Sequence, residues 1–211
     1  MNKIKAILFD MDGVLVDAKE WHYEALNHAL SHFNIHIDRE SHIYTFDGLP
    51  TNKKLEILSE KIGLDKSLYP IINKKKQYYT LQIVAKKCLP TNNHTYALKQ
   101  LKKSSYKMTV CSNSIRPTIE LMMRKSKLEE YFEFYISSQD VEHPKPNPEM
   151  YIKAIKKLQL EPNECMIIED SEKGLLAAKK SGAWVMKIDK INEVNYENIK
   201  KHILMFEEVQ I

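Results

Sequence analysis

The sequence predicts an α/β fold in which a doubly wound parallel sheet is interrupted by an inserted helical domain. Along most of the chain, short apolar runs alternate with longer amphipathic stretches, which is the pattern of parallel strands joined by helices. One block, from about Lys19 to Lys87, contains helical patterns and no convincing strand. With 211 residues, 43% of them hydrophobic, the chain has enough apolar side chains for a real core and one insertion.

Five short apolar runs predict the strands of the sheet: Ile4–Phe9, Lys107–Cys111, Phe134–Ser137, Cys165–Ile168 and Trp184–Ile188. The stretches between them follow helical spacing and predict helices over His94–Lys103, Arg116–Lys125, Pro148–Leu158 and Lys173–Ser181. Pro148 suits the first turn of its helix, and Gly182 stands where a helix end favours a left-handed residue.

The helical block predicts a second domain. Gly48–Pro50 breaks its helical pattern, and Thr51 is predicted to cap the helix that follows. We therefore predict an α/β catalytic core made of residues 1–17 and 88–211, and a four-helix-type cap made of residues 18–87. Two chain crossings at the edge of a core would allow such a cap to rock over it.

Composition and charge exclude several function classes. The net charge is +4, but the lysine pairs fall in helix-like segments without interleaved aromatic residues, so we expect no nucleic-acid binding. Three distant cysteines without a CxxC pair predict neither a disulfide framework nor a thiolate zinc site, and are typical of a reducing cytosol. No apolar run approaches the ~20 residues of a membrane span. We expect a cytoplasmic, monomeric protein without a membrane partner.

Four polar motifs lie at the end of a predicted strand or in the loop that follows it. The first is Asp10-Met11-Asp12-Gly13 in "AILFDMDGVLVD", and the others are Ser112 in "VCSNS", Lys145 in "HPKPNP" and Glu169-Asp170 in "IIEDSEKG". Ligands bind at the carboxyl ends of strands in an open parallel sheet, so the strand assignment brings all four motifs to one edge.

These side chains together suit phosphoryl transfer. Asp10 and Asp170 offer the hard oxygen ligands that Mg²⁺ prefers, and Lys145 offers a point charge for a phosphate oxygen. Ser112 and nearby backbone N–H groups can bind the remaining phosphate oxygens. A carboxylate beside such a phosphate can attack phosphorus, and a second carboxylate, Asp12, can protonate the leaving oxygen and later accept a proton from water.

The four motifs, in this order, resemble those of the haloacid dehalogenase superfamily, and in particular its β-phosphoglucomutase-like phosphatases with a helical cap. The resemblance covers nearly the whole chain. It implies that Asp10 is the nucleophile and a metal ligand, and that Asp12 is the acid/base and binds the metal through its backbone carbonyl. Ser112 and Lys145 match the second and third motifs, and Asp170 is the further metal ligand of the fourth.

Some positions depart from these relatives. The mutases carry an arginine three residues after the cap glycine, where this chain has Thr51, and a threonine where it has Ala18. Both departures argue against the interpretation of this chain as a phosphomutase. Asp12 argues against a dehalogenase, which lacks this second aspartate. A phosphonatase needs a cap lysine for a Schiff base, and nothing singles out Lys53 or Lys54.

Three further residues are candidates with open alternatives. Glu169 is either a direct metal ligand or, as we slightly favour, a residue that supports the ligands. Asn113 either contacts phosphate or substrate, or shapes its turn. His22, five residues after Asp17 at the predicted hinge between core and cap, is hypothesised to contact substrate or to position Asp12, as the resemblance implies.

The prediction is therefore a Mg²⁺-dependent phosphatase that hydrolyses a small organic phosphomonoester, such as a sugar, polyol or amino-alcohol phosphate, through an aspartyl-phosphate. Two alternatives remain: a β-phosphoglucomutase-like phosphomutase, and a protein that binds a phosphate ligand without turning it over.

Overall fold

A five-stranded, fully parallel sheet forms the centre of the α/β part of the chain. In this computed structural model, which describes residues 3–46 and 48–209, the strand order is β3-β2-β1-β4-β5. The strands are β1 (Ala6–Phe9), β2 (Lys107–Cys111), β3 (Phe134–Ile136), β4 (Cys165–Glu169) and β5 (Trp184–Lys187). The predicted parallel α/β fold is confirmed.

The strand order places a topological switch point beside β1. The chain leaves β1 toward β2 and β3, and then returns to add β4 and β5 on the other side of β1. Phe9 is in register with Val110 of β2 and Ile168 of β4, and the N–H of Asp10 continues the ladder to the carbonyl of Ile168 (3.0 Å). Clefts at such switch points are where open α/β sheets bind ligands.

Apolar side chains on both the sheet and the helices build the core of this unit. One cluster combines Ala6 and Leu8 of β1 with residues of the helices that follow β3 and β4, such as Tyr151 and Ala177. β1 is buried along its whole length, as expected for a central parallel strand covered on both faces. The sheet edge that carries the polar motifs is thus held by a close-packed core.

In the part of the chain that the structure describes, five α-helices accompany the sheet: α5 (Asn92–Lys103), α6 (Arg116–Lys125), α7 (Glu149–Leu158), α8 (Glu172–Lys180) and α9 (Tyr196–Glu208). Pro148 is the cap residue of α7, and Gly182 has the predicted left-handed backbone, with φ of +82°. The bounds of α6 match the prediction, and those of the other predicted helices differ by one or two residues, because apolar spacing does not mark where the terminal hydrogen bonds end.

By contact density the chain divides into two compact units, Met1–Asp17 with Leu89–Ile211, and Ala18–Cys88. The second unit is helical and contains α1 (Lys19–Ser31), a short α2 (Arg39–Ser41) followed by a π-helical turn (His42–Phe46), α3 (Thr51–Ile62) and α4 (Tyr69–Lys87). Its apolar cluster includes Leu26, Leu30, Leu55 and Ile72. The outermost residues of the predicted core, 1–2 and 210–211, lie outside the described residues.

One local prediction in this unit is wrong. Thr51 is the first residue of α3 rather than its cap, and Pro50 occupies the cap position without a side-chain hydrogen bond. The extended backbone of Pro50, with ψ of 149°, sets the start of the helix in place of a threonine hydroxyl. Among residues 3–46 and 48–209, no helix combines the length and apolar character needed to cross a membrane.

Candidate active site

The residues after β1 form a tight turn that presents Asp10 and Asp12. The carbonyl of Met11 accepts hydrogen bonds from the N–H groups of Leu15 (2.9 Å) and Val16 (3.0 Å). Gly13 has φ of +93°, a left-handed conformation that costs glycine little and other residues more. The turn therefore fixes the spacing of the two carboxylates at the end of the central strand.

Lys145 lies at the centre of a buried charge cluster. Its ammonium group donates to Asp10 Oδ1 (2.6 Å), to Glu169 Oε1 (2.6 Å) and to the backbone carbonyl of Cys111 (2.8 Å). The Lys145 side chain is only 4% exposed and that of Glu169 is fully buried. A buried ammonium with three acceptors is held in one position, because each of its protons has a partner.

Glu169, the last residue of β4, is hydrogen-bonded at both carboxylate oxygens. Oε1 accepts from Lys145 and from the hydroxyl of Tyr151 (2.5 Å), and Oε2 accepts from the N–H of Asp170 (3.2 Å). A β-carbon at Gly174 would lie 2.0 Å from Glu169 Oε1. The absence of a side chain at Gly174 therefore makes room for the Glu169 carboxylate.

The carboxylates of Asp10, Glu169 and Asp170 form a group that fits a hard cation. One oxygen from each lies within 4.8 Å of the others. Oxygen donors of this kind suit Mg²⁺, and three carboxylates facing one lysine leave an excess of negative charge for a cation to balance. Since the Glu169 oxygens already accept protein hydrogen bonds, Asp10 and Asp170 are the side chains best placed to hold a metal.

Burial and neighbouring charges shift the pKa values of Asp10 and Lys145 in this cluster. Burial raises the pKa of Asp10 well above its usual range, and the Glu169 charge adds to this effect while Lys145 opposes it. Burial alone would lower the pKa of Lys145, but the charges of Asp10 and Glu169 outweigh it and raise the pKa. Lys145 therefore stays cationic, and bringing a further cation to Asp10 would stabilise its ionised form.

Two serines of the loop after β2 lie at Asp12. The hydroxyl of Ser114 donates to Asp12 Oδ2 (3.1 Å), and that of Ser112 lies 3.4 Å from the same oxygen. Ser112 Oγ also accepts from the N–H of Ser114 (3.0 Å), and this local hydrogen bond stabilises the turn of the loop. The structure thus brings the predicted residues Ser112 and Asp12 together, and it adds Ser114.

Asn113 is hydrogen-bonded to the backbone of Lys145 in both directions. Its amide nitrogen donates to the Lys145 carbonyl (3.1 Å), and its amide oxygen accepts from the Lys145 N–H (3.0 Å). A reciprocal pair of this kind ties the loop after β2 to the "HPKPNP" loop. Asn113 therefore helps to set the backbone of Lys145, and its contact with substrate stays a prediction.

The ion pair between Arg116 and Asp140 forms a second link between the loops after β2 and β3. The Arg116 guanidinium donates to Asp140 Oδ2 (2.6 Å), which also accepts from the N–H (2.8 Å) and hydroxyl (2.6 Å) of Ser137. Burial would raise the pKa of Asp140, but these Ser137 hydrogen bonds and Arg116 outweigh it and lower the pKa to about 2. The pair anchors the start of α6 behind the serine loop.

His22 belongs to the helical unit and not to the unit that carries the other predicted residues. It lies on α1, with Nδ1 3.2 Å from the ammonium of Lys76 on α4. Lys76 belongs to the same helical unit as His22, so this contact lies within that unit.

Sequence reasoning missed three residues of the site: Ser114, Tyr151 and Gly174. The second serine of "SNS" was the available signal for Ser114, and the glycine of "EDSEKG" for Gly174. Tyr151 reads as one more apolar position of α7, and its contact with Glu169, 18 residues along the chain, cannot be seen from spacing.

Comparison with known proteins relates this chain to a family of hydrolases and to curated phosphatases. The model of the haloacid dehalogenase-like hydrolase family matches residues 7–188. The chain is 27% identical to the pyrophosphatase PpaX of Bacillus velezensis over 194 residues, which cover 88% of this chain and 86% of that protein. It is 28% identical over 180 residues to a phosphorylated carbohydrates phosphatase of Thermotoga maritima, with 85% and 82% covered.

Among solved structures, a β-phosphoglucomutase from Clostridium difficile is similar over almost its whole length. The TM-score is 0.84, with 97% of this chain and 99% of that chain covered. At 21% identity the likeness shows a shared fold. The family predicted from the four motifs is confirmed by the match over most of the chain, and this protein belongs to the haloacid dehalogenase-like hydrolases.

Proposed function

We propose that this protein is a Mg²⁺-dependent phosphatase that hydrolyses a small organic phosphomonoester through an aspartyl-phosphate on Asp10. The observation that carries the proposal is the buried contact of Lys145 with Asp10 beside the carboxylates of Glu169 and Asp170. A nucleophile, a fixed cation and a metal-binding group then lie at one strand edge. The phosphatase names of relatives that match over more than four fifths of the chain support it.

Each residue has a separate role in this reaction. A carboxylate oxygen of Asp10 forms a bond to phosphorus as the bond to the ester oxygen breaks. Asp12 gives its proton to that leaving oxygen, and in the second step accepts a proton from the water that attacks phosphorus. Lys145 and the hydroxyl of Ser112 stabilise charge on the phosphoryl oxygens, and this positioning accounts for most of the acceleration.

The proposed metal site consists of Asp10, Asp170 and the backbone carbonyl of Asp12. Mg²⁺ bound there would neutralise charge on the phosphate and on the attacking carboxylate. Glu169 is proposed to support these ligands rather than to bind the metal, because both of its oxygens accept hydrogen bonds from the protein. The proposed partner is a small molecule, so no nucleic acid, membrane or second subunit is required.

A phosphate-release screen tests the proposal. Purified protein with Mg²⁺ is offered sugar, polyol and amino-alcohol phosphates together with inorganic pyrophosphate, beside an Asp10→Asn control. We expect release from at least one organic phosphomonoester, and loss of that release in the variant and in the presence of EDTA. If the protein hydrolyses pyrophosphate and none of the organic phosphates, the proposed substrate class is wrong. Undiminished activity of Asp10→Asn would contradict the mechanism.

A phosphomutase is the second candidate, and the close fit to a β-phosphoglucomutase fold is the observation that favours it. Thr51 and Ala18 replace residues that mutases carry. A mutase would convert one sugar phosphate into its isomer in the presence of a bisphosphate activator, with little net release of inorganic phosphate. Incubation of β-glucose 1-phosphate with glucose 1,6-bisphosphate, read by NMR, separates the two.

The helical unit is proposed to act as the cap that selects the substrate, with hinges at Asp17–Ala18 and Cys88–Pro90. Within this unit, the imidazole of His22 and the ammonium of Lys76 lie side by side near the start of α1 and in the middle of α4. Two such groups can bind hydroxyl or phosphate oxygens of a substrate.

We expect His22→Ala to lower kcat/KM by about tenfold, because one hydrogen bond to an anionic or hydroxyl group is lost. The matched control is His28→Ala, two turns along the same helix, where the histidine side chain is 56% exposed. The measurement is steady-state kinetics with the best substrate of the screen. Unchanged kcat and KM in His22→Ala would remove this role.

A further inference from the structure

Tyr151 is a fully buried tyrosine whose hydroxyl lies inside the charge cluster. It sits in the first turn of α7 and is 0% exposed, with its ring packed in the core behind the sheet. Its hydroxyl donates to Glu169 Oε1 at 2.5 Å, and its ring centroid lies 4.8 Å from Lys145 Nζ. A phenylalanine would fill the same volume, so packing alone does not require the hydroxyl.

The tyrosine shares its acceptor with the lysine. Glu169 Oε1 accepts from Tyr151 and from Lys145 Nζ at the same time, whereas Oε2 accepts from the N–H groups of Asp170 (3.2 Å) and Ser171 (3.5 Å). The Glu169 carboxylate thus joins the tyrosine to the lysine on one side and to the Asp170 backbone on the other. Rotation of this carboxylate would disturb both.

A second donor at Oε1 also changes how the lysine charge is distributed. Lys145 is divided between two carboxylates at equal distances, Asp10 and Glu169, each at 2.6 Å. A hydrogen bond from Tyr151 stabilises the negative charge on Glu169, and this weakens the attraction between Glu169 and the Lys145 ammonium. Without that bond, the attraction between Lys145 and Glu169 strengthens, and the lysine is less available to Asp10 and to a phosphoryl oxygen.

We propose that Tyr151 is a positioning residue, whose hydroxyl orients Glu169 and through it holds the Lys145 ammonium where a phosphoryl group is bound. This inference rests on the proposed phosphatase function, and it assigns to that reaction a residue outside the four motifs. Tyr151 acts through Glu169 and does not touch the substrate.

The test is a double-mutant cycle of Tyr151→Phe and Glu169→Gln, with Tyr135→Phe as the matched control. Tyr135 is a half-buried tyrosine of β3 outside the charge cluster. We expect Tyr151→Phe to lower kcat by about tenfold with KM changed less than twofold, since the lost effect is greatest in the transition state. In the Glu169→Gln background, Tyr151→Phe should have no further effect on kcat, because the carboxylate through which Tyr151 affects Lys145 is already absent.

Two results would overturn the inference: a kcat of Tyr151→Phe within twofold of the wild type, or an equal loss in both backgrounds. The second would indicate a general effect on packing, which circular dichroism of each variant also monitors. Tyr135→Phe is expected to retain wild-type kcat.

Calorimetric titration with orthovanadate in the presence of Mg²⁺ gives a readout that needs no turnover, because vanadate adopts the five-coordinate geometry of the transition state. Tyr151→Phe should bind vanadate about tenfold more weakly than the wild type. If the wild type binds vanadate but hydrolyses nothing, the proposed function fails while a weaker Tyr151→Phe still supports the positioning role. Equal affinities would overturn that role, and a wild type that binds no vanadate would overturn both.

Discussion

At the scale of single residues, the site depends on how buried charges are satisfied. Asp10, Lys145 and Glu169 are tolerated inside the protein because each has partners at hydrogen-bond distance. Burial, together with the excess of carboxylates in the cluster, raises the pKa of Asp10. In the proposed reaction, a bound metal cation would bring this carboxyl group to the ionised form that a nucleophile needs.

Gly174 gives a prediction at this scale. Gly174 is the third residue of α8, and an alanine within a helix is normally more favourable than glycine by up to about 1 kcal/mol. Here the added β-carbon would meet the Glu169 carboxylate at 2.0 Å, so we expect Gly174→Ala to lower the free energy of unfolding by roughly 1–3 kcal/mol. Phosphatase activity should fall as well, because Glu169 must move away from Lys145.

Urea unfolding and kinetics measure both effects, and Gly63→Ala is the contrast. Gly63 has φ of +71° with nothing within 4 Å of an added β-carbon, so its replacement should cost stability through the backbone while leaving kcat unchanged. A stabilised Gly174→Ala would contradict the close approach to Glu169.

At the scale of elements, the loops after the strands are fixed to one another by side-chain bonds. Asn113 joins the loop after β2 to the backbone of Lys145, and Arg116 joins the start of α6 to Asp140 after β3. These bonds connect segments that are distant in sequence, so the spacing of the motifs at the strand edge does not depend on loop sequence alone.

The Arg116–Asp140 pair predicts a pH dependence of stability. The folded pKa of Asp140 is about 2, below the usual value of 3.8, so the hydrogen bonds that Asp140 accepts from Ser137 and Arg116 stabilise the fold fully above that usual value. The contribution, at most about 2 kcal/mol, is lost as pH falls from about 4 toward 2. Unfolding free energies at several pH values, compared for wild type and Asp140→Asn, measure it.

We expect the variant to be less stable at neutral pH and to approach the wild type near pH 2. A difference between the two proteins that stays constant over this pH range would show that Asp140 does not titrate as the hydrogen bonds require.

Strand and loop patterns were enough to predict most of this architecture. Asp10 and Glu169 could be placed because each ends an apolar run, and parallel strands bring such ends together. Thr51 and Tyr151 could not, for different reasons. The start of α3 depends on the backbone of Pro50, and the value of the Tyr151 hydroxyl depends on an acceptor in another element. The local sequence pattern predicts neither the start of α3 nor the hydrogen bond of the Tyr151 hydroxyl.

At the scale of the whole molecule, the proposed catalytic residues and the residues proposed to select the substrate lie in different parts of the chain. The four motifs all lie in the α/β unit, whereas His22 and Lys76 belong to the helical unit, Ala18–Cys88. The chemical step can therefore be argued from motifs shared with the family. The substrate must be found by experiment, because residues of the helical unit have no motif that names a ligand.

Chemical trapping of Asp10 determines whether this side chain carries the phosphoryl group during turnover. The protein is mixed with Mg²⁺ and a substrate from the screen, quenched during turnover and reduced with borohydride, which converts an aspartyl-phosphate into homoserine. Peptide mass spectrometry then locates the modified residue, with Asp10→Asn as the control. We predict homoserine at position 10 in the wild type alone. Steady hydrolysis of the same substrate without any modification of Asp10 would contradict the account.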